Sequence, residues 1–337
     1  MRDHVAARTK TSKAEPRPKA EIWADENVPA ARGAGSTPDG SFWRVHEGDN
    51  RKILQDLPAE SVDCVITSPP YYWQRDYGVD GQFGMEATID GFVTNLRETF
   101  EGLRHVLSKD GTVWLNLGDT YYSAKGKPHG NDAKHRSRRL PGLRAVDGPG
   151  LGLPRKSLIG IPWRVALALQ EDGWTLRSAI IWTRRTSLPE PTAKDRPHRQ
   201  YEHIFLFSKG PRYYFNRDGL DGAEDVWTIE PDRKSLGRGT HYAPYPRDLV
   251  RRCIAAGCPE GGVTLDPFLG GGTTMDVSLE MGRSSVGIEL NPAFCDLVIG
   301  HMPGAAARPR TAGPEDTPQP DELDLHPTLP GLTDLAP

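Results

Sequence analysis

Apolar and polar positions alternate along residues 41–302 with two different periods. Short β-branched runs such as residues 62–66 are typical of buried strands, whereas residues 89–107 repeat apolar positions at spacings of three and four, as an amphipathic helix does. The segments follow in the order WRVHEG, VDCVIT, IDGFVTNLRETFEGLRHVL, GTVWLNL, IPWRVALALQEDG, TLRSAIIWT, HIFLFS, PRDLVRRCIAAG, GVTLD, TTMDVSLEMG, SSVGIE and PAFCDLVIGHM. This alternation predicts an α/β fold with a mostly parallel, doubly wound sheet. Because no helix separates TLRSAIIWT from HIFLFS, one antiparallel strand is expected near a sheet edge.

The two ends of the chain and one internal segment lack this periodicity. Residues 1–40 and 303–337 are polar and rich in Gly, Pro or charge, so both are predicted to be disordered tails around one domain. Residues 124–156 carry nine Lys or Arg against two Asp, with many glycines. A connection this long inside a domain is usually functional or disordered. Its positive charge favours contact with phosphate groups over a merely solvated loop.

Composition narrows the function classes only a little. The 337 residues carry a formal net charge of −3, so global charge does not indicate nucleic-acid binding, although a neutral core can still have a basic face. The four cysteines form neither a CxxC pair nor a Cys/His zinc pattern, so no metal site is expected. Without a signal-peptide pattern or a run of about 18 apolar residues, we expect a soluble protein of the reducing cytoplasm.

The stretch TSPPYYWQRDYG, residues 67–78, directly follows a predicted strand. Pro69 and Pro70 lack a backbone N–H and have a fixed φ, so neither can continue a sheet ladder. The end of a strand in an α/β protein is a usual place for a site. A simple turn is the alternative for an isolated Ser-Pro-Pro, and Trp73 and Tyr77 either pack this loop or contact a ligand.

The stretch LDPFLGGGTT, residues 265–274, predicts a strand, a glycine-rich turn and a helix start. Glycines let the backbone approach a ligand closely, and a helix N-terminus favours an anionic group. Gly270 and Gly272 are followed by Met275 where a dinucleotide fold has a third small residue, and no Lys precedes the Thr pair as in a P-loop. Glu289 ends the next predicted strand, where a carboxylate can accept both hydroxyls of a ribose. The pattern indicates a nucleoside cofactor without identifying it.

Together, TSPPY and DPFLGGGTT resemble the motifs of amino-methylating DNA methyltransferases, in the permuted (beta) class in which the catalytic motif precedes the S-adenosylmethionine motif. The segments GIPWRVALALQEDGWTLRSAIIWTR, YEHIFLFSK, HYAPYPRDLVRRCI and GIELNPAFCDL follow in the order of that family. The resemblance covers roughly residues 42–301. The segment at about 210–240 is short for a target-recognition domain, so the basic insertion at residues 124–156 is expected to share that role.

The resemblance implies a Rossmann-like methyltransferase domain at residues 41–302 that methylates an exocyclic amino group of a base flipped out of duplex DNA. Ser68 Oγ and the Pro69 carbonyl would accept the amino N–H groups, and Tyr71 would provide a stacking face. The expected catalytic set is Ser68, Pro69, Pro70 and Tyr71. Serine before Pro-Pro-Tyr favours cytosine N4. The alternatives are N6-adenine methylation and, less favoured, an RNA methylase or an inactive DNA-binding protein.

The resemblance also implies a set of binding residues. S-adenosyl-L-methionine would be held by Asp49, Asp266, Phe268, Gly270, Gly272, Thr273, Thr274 and Glu289. In this assignment Asp266 and the glycine turn take the methionine part, Glu289 the ribose hydroxyls and Asp49 the adenine amino group. The expected phosphate contacts are Arg136, Arg138 and Arg139. Expected partners are double-stranded DNA and a cognate restriction endonuclease, and the sequence gives no oligomeric state.

Overall fold

The computed structural model describes residues 18–124, 145–148, 150–184, 194–220, 222, 224–230, 232 and 245–307. Within these ranges the strands are β1 (Gly33–Ser36), β2 (Phe42–Glu47), β3 (Val62–Thr67), β4 (Leu107–Leu117), β5 (Thr175–Thr183), β6 (Tyr201–Ser208), β7 (Val226–Thr228), β8 (Val263–Asp266), β9 (Ser284–Glu289) and β10 (Ala306–Ala307). The helices are α1 (Lys19–Trp23), α2 (Asn50–Asp56), α3 (Ile89–Val106), α4 (Ile161–Glu171), α5 (Arg247–Gly257), α6 (Thr273–Glu280) and α7 (Pro292–Ile299). None of these helices has the length and apolar character that a membrane crossing requires.

The strands form one sheet in the order β10-β1-β2-β9-β8-β3-β4-β6-β5-β7. All neighbours from β2 to β4 run parallel. Strand β6 is antiparallel to both β4 and β5, which confirms the antiparallel strand predicted from the missing helix. The α/β, Rossmann-like, doubly wound prediction is therefore confirmed.

Both faces of the sheet are covered by helices, as the alternation along β3 shows. Val65 packs with Phe92 of α3 on one face, while Cys64 and Ile66 pack with Ile254 of α5 on the other. Since apolar side chains point to both faces, the sequence of a central strand is a nearly continuous apolar run. This explains why apolar and polar residues do not alternate in VDCVI.

The order of the strands creates a switch point between β3 and β8. From β3 the chain passes through α3 to β4 on one side, and from β8 it passes through α6 to β9 on the other side. Ligands of open α/β sheets bind in the crevice outside the carboxyl ends of strands where the order diverges in this way. The two motif-bearing loops, after β3 and after β8, both start at this crevice.

The predicted boundary of the N-terminal tail at residue 40 is wrong. Helix α1 and strand β1 lie within the predicted tail, and β1 pairs with β2. Trp23 is 1% exposed and its indole N–H donates to the Ser61 carbonyl at 3.2 Å. The short β10 likewise extends the sheet beyond residue 302. Polar composition concealed these elements, because one tryptophan anchors α1 and β1 consists of small residues. Residues 1–17 and 308–337 lie outside the described part.

The two segments expected to contact DNA are described in part. The ends of the basic insertion meet, since Tyr122 N–H donates to Ser157 O at 2.9 Å and Lys156 N–H donates to Tyr122 O at 2.7 Å. Residues 125–144 of that insertion lie outside the described ranges. In the predicted recognition segment at about 210–240, β7 pairs with β5, and Trp227 stacks on Trp114 at 6.1 Å between ring centroids. This portion completes the sheet edge.

Candidate active site

The two motifs predicted from the sequence meet at the switch point. Ser68–Tyr71 follow β3 and the glycine-rich turn follows β8, and the side chains at the two strand ends are joined, because Thr67 Oγ1 donates to Asp266 Oδ1 at 2.8 Å. Between the loops lies a cavity of about 330 Å³, a size typical of sites for small organic ligands.

Most of the expected site residues form the wall of this cavity. They are Asp49, Ser68, Pro69, Pro70, Tyr71, Asp266, Phe268, Gly270, Thr273 and Glu289. Gly272 and Thr274 are not among the residues that line it. Gly272 is the N-cap residue before α6, with φ +83°, and an added Cβ would lie 3.0 Å from Val298. The buried Thr274 donates to Asp266. Arg136, Arg138 and Arg139 lie outside the described residues.

Glu289 holds the glycine turn in place. Its Oε2 accepts the Gly270 N–H at 2.7 Å and its Oε1 accepts the Asn291 N–H at 2.7 Å. Burial raises the pKa of Glu289 above its ordinary value, and these hydrogen bonds oppose the rise. A carboxylate has about four lone-pair directions. Glu289 therefore retains acceptor capacity with which it can bind a hydroxyl group of a ligand.

Asp266 is satisfied entirely by the protein. It accepts Thr67 Oγ1 at 2.8 Å, Phe268 N–H at 3.1 Å, Tyr245 Oη at 2.9 Å and Thr274 Oγ1 at 2.7 Å. The side chain is 1% exposed, and this burial raises its pKa. Four donors fill the lone-pair directions of one carboxylate. Asp266 thus organises the turn, and the turn backbone is what faces a ligand.

Asp49 and Phe268 lie on the same cavity wall. Asp49 caps α2 through the Arg51 N–H and forms an ion pair with the Arg51 guanidinium at 2.8 Å. Burial alone would raise the pKa of Asp49, but the hydrogen bonds and charge of Arg51 outweigh it and lower the pKa. Phe268 meets the ring of Phe83 edge-on at 5.0 Å between centroids. Carboxylates for hydroxyl or amino donors and an aromatic face for a cation fit a cationic nucleoside such as S-adenosylmethionine.

Three polar residues that the sequence did not single out surround Tyr71. Tyr71 Oη donates to Glu202 Oε2 at 2.5 Å and lies 3.0 Å from Asn116 Oδ1. Arg184 forms an ion pair with the other oxygen of Glu202. Burial, followed by the negative charge of Glu202, raises the pKa of Tyr71 well above its ordinary value, so its hydroxyl stays protonated. In the sequence, these residues could have been recognised only as polar residues at the ends of apolar strands: Asn116, Arg184 and Glu202.

Gly118 and Asp119 illustrate structural roles next to the site. An added Cβ at Gly118 would overlap the Tyr71 ring, so the glycine makes room for it. Asp119 accepts the N–H groups of Gly160 at 3.0 Å and Ile161 at 3.1 Å and thereby caps α4. Trp73 packs its loop, where its indole N–H donates to the Glu86 carbonyl at 2.5 Å.

Comparison with known proteins shows the family of the chain. A family model described as DNA methylase matches residues 62–300. The type II methyltransferase M.SmaI of Serratia marcescens is 42% identical over 262 residues, covering 75% of this chain and 88% of the relative. The type II methyltransferase M.Cfr9I of Citrobacter freundii is 41% identical over 271 residues, covering 77% and 87%.

Solved structures share the fold. The PvuII DNA methyltransferase (cytosine-N4-specific) aligns with a TM-score of 0.59 at 19% identity, covering 78% of this chain and 88% of that one. A candidate DNA modification methylase of Thermus thermophilus, solved with S-adenosyl-L-methionine, aligns with a TM-score of 0.54 at 21% identity, covering 76% and 91%.

A pocket at the switch point, between a glycine-rich turn and a Ser-Pro-Pro-Tyr loop, is the arrangement of an S-adenosylmethionine-dependent methyltransferase. Its cofactor is S-adenosyl-L-methionine, the methyl donor of the family whose model matches the chain. The chain belongs to the N4/N6 amino-methyltransferase family of DNA methylases, and it is a type II DNA methyltransferase of the kind found in restriction-modification systems.

Proposed function

We propose that this enzyme methylates the exocyclic N4 amino group of cytosine in duplex DNA. The proposal rests on one observation: the Ser-Pro-Pro-Tyr loop and the glycine turn line the same cavity. A hydrogen bond from Thr67 to Asp266 joins the two strand ends from which these loops start. A methyl donor and an amino acceptor can meet only where both loops contribute to one site.

The chemistry requires hydrogen-bond acceptors aimed at the amino group. The amino nitrogen of cytosine is a poor nucleophile because its lone pair is delocalised into the ring. Acceptors on its N–H groups localise that pair and stabilise the positive charge that develops during attack. Ser68 and Pro69 lie on the cavity wall directly after β3, where the hydroxyl oxygen and the main-chain carbonyl serve as those acceptors.

The cofactor residues act by binding and orientation. S-adenosylmethionine supplies an electrophilic methyl group on a sulfonium centre. Glu289 would take the ribose hydroxyls, Asp49 the adenine amino group, and the backbone at Gly270 the methionine part. Phe268 would present its ring to the positive charge. The attack is a direct displacement, so no cysteine nucleophile is needed, and all four cysteines are buried.

Cytosine is favoured over adenine because serine precedes Pro-Pro-Tyr at position 68. In either case the base must leave the duplex to reach the cavity, and Tyr71 on the cavity wall offers a ring for it to stack on. The relatives are named type II methyltransferases. We therefore propose that an endonuclease cutting the same DNA sequence is the functional partner.

A label-transfer assay tests the proposed reaction. Purified enzyme with tritiated S-adenosylmethionine is expected to label plasmid DNA, and Tyr71→Ala should reduce turnover severely, since about 1–3 kcal/mol of base stacking is lost. A duplex containing 5-fluorocytosine should not become covalently attached to the enzyme. Covalent attachment would show attack on the ring carbon and contradict amino methylation.

A further inference from the structure

A chain of hydrogen bonds runs from the catalytic serine into the protein. Ser68 Oγ lies 3.2 Å from Asn116 Oδ1 and 3.5 Å from Tyr71 Oη. Tyr71 Oη lies 3.0 Å from the same Asn116 oxygen and 2.5 Å from Glu202 Oε2. An amide oxygen and an ionised carboxylate accept hydrogen bonds and never donate them. Both hydroxyl protons therefore have acceptors on the protein side.

Glu202 is the last acceptor in this series of hydrogen bonds, and two further contacts fix its side chain. Its Oε1 forms an ion pair with Arg184, and its Oε2 lies 3.4 Å from Asn116 Nδ2. The same Asn116 amide donates to the His203 carbonyl at 3.1 Å, which fixes the orientation of the amide. The pairing of Asn116 with Ile204 in the β4–β6 ladder brings these groups together at the carboxyl end of β4. The Glu202 side chain is 15% exposed.

We infer that Glu202, held by Arg184, is a positioning residue that acts through the Tyr71 hydroxyl. The charged carboxylate accepts a short, charge-assisted hydrogen bond from the Tyr71 hydroxyl and so fixes the ring on the cavity wall. With the Tyr71 O–H directed at Glu202, the Ser68 O–H donates to the Asn116 side-chain oxygen or to the Tyr71 oxygen. The remaining lone pair of Ser68 is then available to an amino N–H. This inference rests on the proposed function, because only an amino substrate requires Ser68 as an acceptor.

A double-mutant cycle tests the inference. Glu202→Gln keeps the shape of the side chain but adds a donor, and Tyr71→Phe keeps the ring but removes the hydroxyl. Each single variant is expected to lower kcat about 10-fold or more through misplacement of the ring. The double variant should fall no further than about twofold below the worse single variant, because both changes remove the same hydrogen bond. The affinity for S-adenosylmethionine should stay at the wild-type value in all three.

Asp172→Asn is the matched control, because it removes an ion pair with Arg97 on the surface and should retain wild-type kcat. Losses that multiply in the double variant, about 100-fold for two 10-fold singles, would overturn the inference. So would wild-type kcat in Glu202→Gln.

Arg184→Met provides a second route if Glu202→Gln does not fold. This change leaves Glu202 and Tyr71 in place but removes the ion pair, and kcat should fall with unchanged cofactor affinity. Wild-type kcat in this variant would equally overturn the inference. Absence of methyl transfer to DNA by the wild-type enzyme is a different result, since it refutes the proposed function and with it the role of Glu202.

Discussion

Removing the carboxylate of Glu289 should weaken cofactor binding in a way that the structure quantifies. In Glu289→Ala the N–H groups of Gly270 and Asn291 lose an acceptor at 2.7 Å each. The proposed contact with the ribose hydroxyls is lost as well. A hydrogen bond to a charged group contributes about 1.5–3 kcal/mol, so losing even one such bond to the ligand corresponds to a roughly 10- to 150-fold increase in Kd. The displaced turn adds to this, since its backbone faces the ligand.

Calorimetric titration with S-adenosylmethionine measures this loss. Glu289→Gln, which retains one acceptor oxygen, should fall between the wild type and Glu289→Ala. Glu260→Ala changes an exposed glutamate and should bind the cofactor normally. DNA affinity, measured with a fluorescent duplex, should be largely unchanged in all variants. A wild-type Kd for the cofactor in Glu289→Ala would refute the proposed contact of Glu289 with the ribose. It would also refute the expected effect of the displaced turn on cofactor binding.

Three further changes probe other parts of the molecule. Gly118→Ala should lower kcat about 10- to 100-fold without changing cofactor affinity, because the added Cβ displaces the Tyr71 ring; wild-type kcat would show that the ring need not stay in place. Burial, reinforced by the charge of Arg44, lowers the pKa of His46 to about 4. The unfolded chain therefore binds this proton first, so stability should fall by about 3 kcal/mol as the pH drops from about 6.5 to 4. Urea unfolding of His46→Leu should lack this component, and an identical pH dependence would exclude it. A triple alanine variant of the basic insertion should lower DNA affinity and flatten its log–log salt dependence by roughly 0.9 for each phosphate that it no longer neutralises, and an unchanged slope would place recognition elsewhere. The residues changed in that variant are Arg136, Arg138 and Arg139.

The fold was predictable from sequence where periodicity and burial coincide. Strands such as β3 and β8 are short apolar runs, and helix α3 has a clear apolar face, so their existence and order followed directly. Helix α2 was not predicted, because its seven residues carry little apolar pattern and begin at the Asp49 cap. Strand β1 was missed for a similar reason, since its stability comes from pairing with β2 rather than from its own side chains.

The candidate site was predictable as two motifs but not as a three-dimensional arrangement. Ser68 and Glu289 follow or end strands and are marked by their neighbours in sequence. Asn116 and Glu202 come together only through the antiparallel register of β4 and β6, which no local pattern specifies. For Asp266 the difficulty is the opposite one. Its place in a motif suggested contact with a ligand, whereas the fold surrounds its carboxylate with protein donors.

We expect the cavity between the two loops to methylate an amino nitrogen of a DNA base, the N4 of cytosine. Mass spectrometry of nucleosides from plasmid DNA methylated by the purified enzyme tests it most directly. We expect N4-methylcytosine, and the product should form far more slowly in Tyr71→Ala. N6-methyladenine would contradict the choice of base but leave the mechanism intact, whereas 5-methylcytosine would contradict the mechanism itself.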